Sequence, residues 1–275
     1  MRGAIIGDVA GSRFEWRNHK SKDFVLFGHR CRVTDDSVMS LAVAQAILSC
    51  EGNYDEGNGC AELSGQAVHW MRELGRAYPD AGYGGNFMRW IGADDPQPYN
   101  SYGNGSAMRV GPCGFAAQSL EQAQALAAAV TRVTHDHPEG MKGAEAVASV
   151  IWLARAGENL DSIRAFVCAK YYELDFTLEQ IRPGYTFDVS CQGSVPVAIE
   201  AFLEANGFED AVRNAVSVGG DSDTIAAIAG SMAEAYFGVP AELASGVERY
   251  MDERQLEILR AFEARFPARP ARGRA

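Results

Sequence analysis

The sequence predicts an all-α fold on three observations. Apolar residues recur at helical spacing through the middle and end of the chain, almost nothing alternates as a half-buried strand would, and helix start and stop signals bracket the periodic segments. At the start, Gly3, Gly7 and Gly11 recur every four residues, which aligns them on one helix face and permits close contact with another helix. Residues 38–48 are apolar around most of a helix's circumference, the mark of a buried helix. The same periodicity predicts helices over residues 60–76, 121–133, 141–156, 160–172, 195–205, 208–218, 224–237 and 241–266. Asp161 sits before one periodic run and Ser194 before another with Pro196 in its first turn, while Gly157, Gly207 and Gly238 stand just past helix ends. Residues 78–114 are weakly periodic and rich in Gly, Pro and Asn, and a loop of that length in a compact domain tends to be functional.

Composition narrows the function classes. The 275 residues are 47% apolar and 22% charged, the balance of a globular protein with a sizeable core. With 25 Lys+Arg against 36 Asp+Glu, the net charge of −11 argues against a nucleic-acid partner, which would require clustered cations. No apolar run reaches the roughly 18 residues of a membrane helix, and Asp8 comes too soon for a signal peptide, so a cytoplasmic protein is expected. No linker, repeat or low-complexity block divides the chain. One domain over residues 1–266 is therefore expected, with 267–275, carrying Arg269, Arg272 and Arg274, as a disordered tail. A monomer is the default. The six cysteines show no CxxC or zinc spacing and are expected to be reduced core thiols.

Two acidic motifs far apart in sequence are built alike. Thr34-Asp35-Asp36-Ser37 leads into the apolar run from Val38, and Gly219-Gly220-Asp221-Ser222-Asp223-Thr224 leads into the one from Ile225. Each motif alone also fits an ordinary helix cap, since Asp, Ser and Thr accept from the free N–H groups of a first turn. A cap needs one such residue, however, and each motif supplies two carboxylates and a threonine hydroxyl. If the two meet, four carboxylates and two hydroxyls surround one point. Mg²⁺ or Mn²⁺, hard ions with oxygen ligands, would balance that charge, and six side-chain oxygens completed by water suit two ions. Glu15 emerges just past the glycine face, in reach of whatever that face packs against.

Two further segments carry candidate binding groups. In Ser101-Tyr102-Gly103-Asn104-Gly105-Ser106-Ala107-Met108-Arg109, glycines around polar residues can bring backbone N–H groups close to a ligand, and an exposed tyrosine can stack on a base; a structural turn fits as well. Thr134-His135-Asp136-His137 offers two histidines without further partners at zinc spacing, so a hydrogen-bonding or acid/base histidine is the better reading.

Together these segments resemble the ADP-ribosylglycohydrolase family. The opening GxxxGDxxGSxxE, then TDDS, GNGSAMR, a TH segment and GGDSDT run in the family's order from Gly3 to Gly238. The resemblance implies a compact, single-domain orthogonal helical bundle with a dinuclear Mg²⁺ or Mn²⁺ centre. It would hydrolyse the N- or O-glycosidic bond between ADP-ribose and an acceptor on a protein or small molecule, arginine being the commonest bacterial acceptor. Carried over by position, Thr34, Asp35, Asp36, Asp221, Asp223 and Thr224 would be metal ligands. Glu15, with Asp35 or Asp223, would handle the proton, Ser101, Tyr102, Gly103, Asn104 and Gly105 would cradle the diphosphate and adjoining ribose, and His135 would line the same cleft. The arginine-directed branch also uses an aspartate near the preceding glycine loop; Asp80 lies there and is left unassigned.

Three rival readings exist. An aspartyl phosphatase would use D-x-D-x-T at the end of a buried strand, but Thr224 comes one residue early. A prenyl-chain enzyme would need the third Asp of DDxxD, which Asp35-Asp36-Ser37-Val38-Met39 lacks. An ADP-ribose-binding or structural protein would share the pocket without turnover.

Overall fold

The computed structural model describes residues 1–50 and 58–268. Fourteen α-helices follow one another among the described residues: α1 (Arg2–Gly11), α2 (Asp35–Ser49), α3 (Asn58–Ala77), α4 (Gly85–Gly92), α5 (Gly111–Ala116), α6 (Leu120–Thr131), α7 (Pro138–Ala156), α8 (Leu160–Lys170), α9 (Leu178–Ile181), α10 (Cys191–Leu203), α11 (Phe208–Val218), α12 (Ser222–Phe237), α13 (Ala241–Val247) and α14 (Glu253–Arg265). No strand forms among these residues; a single antiparallel bridge joins Gly103 to Ser190. The fold is all-α, as the periodicity predicts. No described helix is long and apolar enough to cross a membrane.

α12 is the axis. Every residue from Ser222 to Ala235 is buried, and the helix packs on α1, α11, α10, α7, α2 and α5. A helix apolar all round can only lie inside, and its many small residues let neighbours come close. The closest is α1. A Cβ at Gly3 would stand 2.7 Å from the carbonyl carbon of Gly230, one at Gly7 would stand 2.6 Å from Ala227 N, and one at Gly11 would stand 2.5 Å from Asp223 Cα. The glycine stripe therefore lets two backbones touch at Gly3, Gly7 and Gly11, over about two turns.

Helix ends differ from the sequence reading wherever a capping group outranks apolar spacing. α2 begins at Asp35, so both carboxylates of the first motif lie inside its first turn. The cap of α8 is Asn159, accepting from Ser162 N at 2.8 Å, and Asp161 lies within the helix. Ser190, not Ser194, caps α10, which places Pro196 in the helix interior. Gly207 is the N-cap of α11 rather than the end of α10. Residues 78–114 are not one long loop, since α4 and α5 lie within them and α4 buries Phe87, Trp90 and Ile91. Cys31, Cys50, Cys113 and Cys191 are buried free thiols, but Cys60 is half-buried and Cys168 lies exposed on α8, outside the core. Of the expected tail, residues 269–275 lie outside the described residues.

The predicted helix over residues 241–266 is broken by a 3₁₀ turn, Glu248–Tyr250, and restarts at a capping box. Asp252 accepts from Gln255 N at 2.9 Å while the Gln255 side chain accepts from Asp252 N at 3.1 Å. Asp252 also accepts from Tyr78 Oη at 2.8 Å, tying α14 to the end of α3. Asp252→Ala is expected to lower stability by about 1 kcal/mol, the usual cost of an N-cap. A urea midpoint unchanged from wild type would contradict this.

Candidate active site

The α1–α12 contact determines where the acids meet. At the end of α11, Gly219 (φ 75°) and Gly220 (φ 73°) turn the chain through the left-handed region, where side chains other than glycine are strained. A Cβ at Gly220 would also stand 2.5 Å from the Tyr185 ring. That turn delivers Asp221 to the N-terminus of α12, with Asp223 in the first turn. α2 starts beside it: Thr224 Oγ1 donates to Asp36 Oδ2 at 3.3 Å. The two acidic motifs therefore meet, as their likeness predicts.

Neither N-cap residue caps its own helix, although Asp223 Oδ1, inside the first turn of α12, accepts from Thr224 N at 3.1 Å. Thr34 and Asp221 occupy the N-cap positions of α2 and α12 without a side-chain cap bond. The cap of α2 comes from α1: Asp8 Oδ2 accepts from Thr34 N at 3.0 Å and Ser37 N at 3.1 Å, and also from Ser37 Oγ, while Asp8 Oδ1 accepts from Thr34 Oγ1 at 2.6 Å. Asp8 is the residue the motif reading misses. The signal was a carboxylate in an otherwise apolar, small-residue helix, which must find donors once buried.

Oxygens of Asp8, Asp36 and Asp223 lie within 4.8 Å of one another, and so do oxygens of Glu15, Asp221 and Asp223. Asp223 belongs to both groups. Asp35 joins neither; it faces Gly82 in the wall beside them, with Oδ1 3.4 Å from where a Gly82 Cβ would stand. Asp221 is held by Asn104, whose Nδ2 donates to Asp221 Oδ2 at 2.7 Å and to Ser194 Oγ at 3.0 Å.

The charge balance is lopsided. Two helix N-termini supply together about one positive charge, against six clustered carboxylates. Burial, with repulsion from Asp8 and Asp221, pushes Asp35 up to about 7. Burial and the neighbouring acids hold Asp36 and Asp223 well above the usual carboxylate range. Glu15, half-buried, is raised by burial and by Asp221, against which Arg32 acts. Asp36 Oδ1 is buried with no hydrogen-bond partner. A cluster of this kind needs protons or cations to offset its charge.

Five of the six acids form the floor of a cavity of about 610 Å³, inside the range of roughly 300–1,000 Å³ usual for small-molecule sites, and Asp8 is fully buried outside its lining. Glu15, Asp35, Asp36, Asp221, Asp223 and Thr224 line it. Its wall includes Ser101, Gly103, Asn104 and Gly105, with His135 behind them. This loop is clipped to the segment before α10 by Asn104 N donating to Val189 O at 2.7 Å and Cys191 N to Tyr102 O at 2.9 Å. Two expected residues fall outside the lining. Thr34 is buried behind the acids on Asp8, and the Tyr102 ring is half exposed and edge-on to His137 at 5.2 Å. Asp80 is exposed and does not line the cavity. The strand that D-x-D-x-T chemistry needs is absent, because Asp221 follows α11 and the glycine turn.

A family model described as ADP-ribosylglycohydrolase matches residues 1–270. The chain belongs to the ADP-ribosylglycohydrolase family. It is a glycosidase that removes ADP-ribose from acceptors. Among curated relatives, this glycohydrolase is 27% identical to "ADP-ribosylarginine hydrolase Tri1" of Pseudomonas putida (strain GB-1), over 87% of this chain and 70% of the relative. It is 26% identical to "ADP-ribosylhydrolase ARH3" of Bos taurus, over 87% and 84%. A solved structure titled "ADP-ribosylglycohydrolase-related protein complex" shares its fold, with a TM-score of 0.67, 23% identity and coverage of 96% of this chain and 95% of the other.

Proposed function

We propose that this glycohydrolase is divalent-cation-dependent and acts on ADP-ribosyl-arginine, in proteins or small conjugates. The carrying observation is the pair of carboxylate groups sharing Asp223 on the floor of a cavity walled by the Ser101–Gly105 loop. The residues fit two cations: the donors are all hard oxygens, Arg32 beside Glu15 offsets only part of the charge of the six acids, and Asp36 Oδ1 is buried without a partner. Asp35, Asp36, Asp221, Asp223, Thr34 and Thr224 would hold Mg²⁺ or Mn²⁺, with Asp8 orienting Thr34 from behind. Bound there, the ions would supply Lewis acidity and make water more acidic.

The chain's own groups account for the rest. The Gly105 N–H and the His135 ring would bind the ADP-ribose oxygens, meeting an anionic diphosphate without a lysine patch, while the Gly103 and Asn104 N–H groups hold the loop on Ser101 Oγ and Val189 O. Asn104 keeps Asp221 in place. The carboxylates would stabilise positive charge developing at the anomeric carbon. Glu15 Oε, made more basic by burial and Asp221, can accept a proton from water.

Two observations support arginine as acceptor. Tri1 is named for that substrate. Beside Glu15, the exposed Trp16 ring stacks on Phe187 at 5.2 Å and 25°, and a guanidinium favours an aromatic face next to a carboxylate. The test presents purified protein with ADP-ribosyl-arginine and ADP-ribosyl-serine peptides, with Mg²⁺ or Mn²⁺ and with chelator. Free ADP-ribose is expected from the arginine peptide with cation only. Release from serine alone, or undiminished release in chelator, would refute the proposal; tight binding without release would favour a binding module.

A further inference from the structure

Arg109 is buried with 1% of its surface exposed, and among the described residues no ion pair involves it. Its Nη2 donates to Thr134 Oγ1 at 2.6 Å and to Val130 O at 3.2 Å, while Nε has no partner. Thr134 Oγ1 in turn lies 2.7 Å from His135 Nδ1. The other ring nitrogen faces the glycine loop: Nε2 stands 3.4 Å from where a Cβ on Gly105 would be and 3.6 Å from one on Gly103. Among the described residues no hydrogen bond uses that nitrogen.

Donor and acceptor roles along this chain are not free. A guanidinium has only donors, so Thr134 Oγ1 accepts from Arg109. The hydroxyl then has one proton to give, and His135 Nδ1 at 2.7 Å is a far better acceptor than Thr131 O at 3.4 Å. A ring that accepts at Nδ1 carries its proton on Nε2. The opposite tautomer would aim two N–H donors at one oxygen and leave its proton to the long bond. Burial and the nearby guanidinium also hold His135 well below its ordinary range, so the ring stays neutral.

We propose that Arg109 and Thr134 are positioning residues that fix His135 as the Nε2–H tautomer, presenting an N–H donor beside the Gly103–Gly105 loop to an acceptor oxygen of the bound ligand. That the ligand is ADP-ribose rests on the function proposed above; the tautomer does not. A cation with no ion pair among the described residues, its guanidinium 5.9 Å from the centre of the Phe87 ring, is thus kept buried for a reason: it makes a threonine an obligate relay and keeps the ring neutral.

The test is two-bond ¹H–¹⁵N correlation of the histidine rings in the wild-type protein at neutral pH, with His135→Gln assigning the signal among the five histidines. A pyridine-like Nδ1 and a pyrrole-like Nε2 are expected. A proton on Nδ1, or an even mixture, would overturn the proposal. Thr134→Val removes the hydroxyl at equal volume and should give a mixture of tautomers, with KM for the ADP-ribosyl peptide raised about tenfold, equivalent to about 1.4 kcal/mol, and kcat within about twofold. Thr134→Ser should restore both the tautomer and KM. An unaltered tautomer in a folded Thr134→Val protein would also overturn the relay. A tautomer that mixes while KM stays put would uphold the relay and refute the assignment of His135 to the ADP-ribose site.

Discussion

Asp223→Asn is expected to abolish turnover and raise the stability of the metal-free protein. Asp223 is 3% exposed and the one carboxylate common to both acidic groups. Removing its charge should eliminate cooperative Mg²⁺ or Mn²⁺ binding and lower kcat by about a thousandfold or more, since groups acting as a unit fail together. In chelator the sign reverses. The buried acids repel one another, so an isosteric amide relieves strain that the native protein tolerates for function, and the melting temperature should rise. The pH dependence follows from the same shifts. Asp35, pushed up to about 7, and Asp36 and Asp223, held well above the usual carboxylate range, bind protons in the folded state that the unfolded chain releases at ordinary carboxylate values. The metal-free protein should therefore lose stability as pH rises from about 4 through neutrality. Cations compete with those protons, so the melting temperature gained on adding Mn²⁺ should be larger at pH 8 than at pH 5, and cation binding should release protons. Calorimetric titration and thermal melts in chelator decide it. A variant that keeps wild-type activity, or a cation effect independent of pH, would remove the shared-site account.

The acidic floor is legible in the sequence because each motif carries more acid than a helix cap can use; that surplus has to be balanced somewhere. Glu15 is legible through the glycine stripe, since a face that packs on α12 brings the residue just beyond it to Asp221. Asp8 is not legible in the same way. Its donors, Thr34 and Ser37, lie 26 and 29 residues further along and are joined to it only by the packing of α1 on α2. The Arg109–Thr134–His135 chain fails for the same reason: Arg109 closes a motif that reads as a ligand loop, and its partner is 25 residues away. Helix boundaries are missed where Ser190 and Asp252 cap a turn earlier or later than apolar spacing suggests, whereas α8 starts at Leu160 as the spacing predicts and only its cap, Asn159 in place of Asp161, differs. Tyr102 is read as a ligand-stacking ring because it stands in a glycine-rich polar motif, but the bridge between Gly103 and Ser190 leaves its side chain on the outer face beside His137.

One substitution, glycine to alanine, should have opposite effects at two helical positions. At Gly7 the new Cβ would overlap the Ala226 carbonyl and stand 2.6 Å from Ala227 N, all backbone of a buried helix that no rotamer change can move. α1 would have to lift off α12, and a loss of about 3 kcal/mol or more is expected, at the upper end of overpacking costs. The consequence reaches the chemistry, because α1 carries Asp8 and leads to Glu15 while α12 carries Asp223. A shift of about 1 Å between them would spoil both acidic groups, so activity should fall by about a hundredfold even where the protein stays folded. Gly65, on the exposed face of α3, is the control. A Cβ there meets no atom within 4 Å, and alanine's better helix propensity should add up to about 1 kcal/mol with activity unchanged. Urea midpoints and kcat for the two variants measure both effects. A Gly7→Ala protein within about 0.5 kcal/mol of wild type would mean that the α1–α12 contact is slack, and with it the reason the two acidic groups share Asp223.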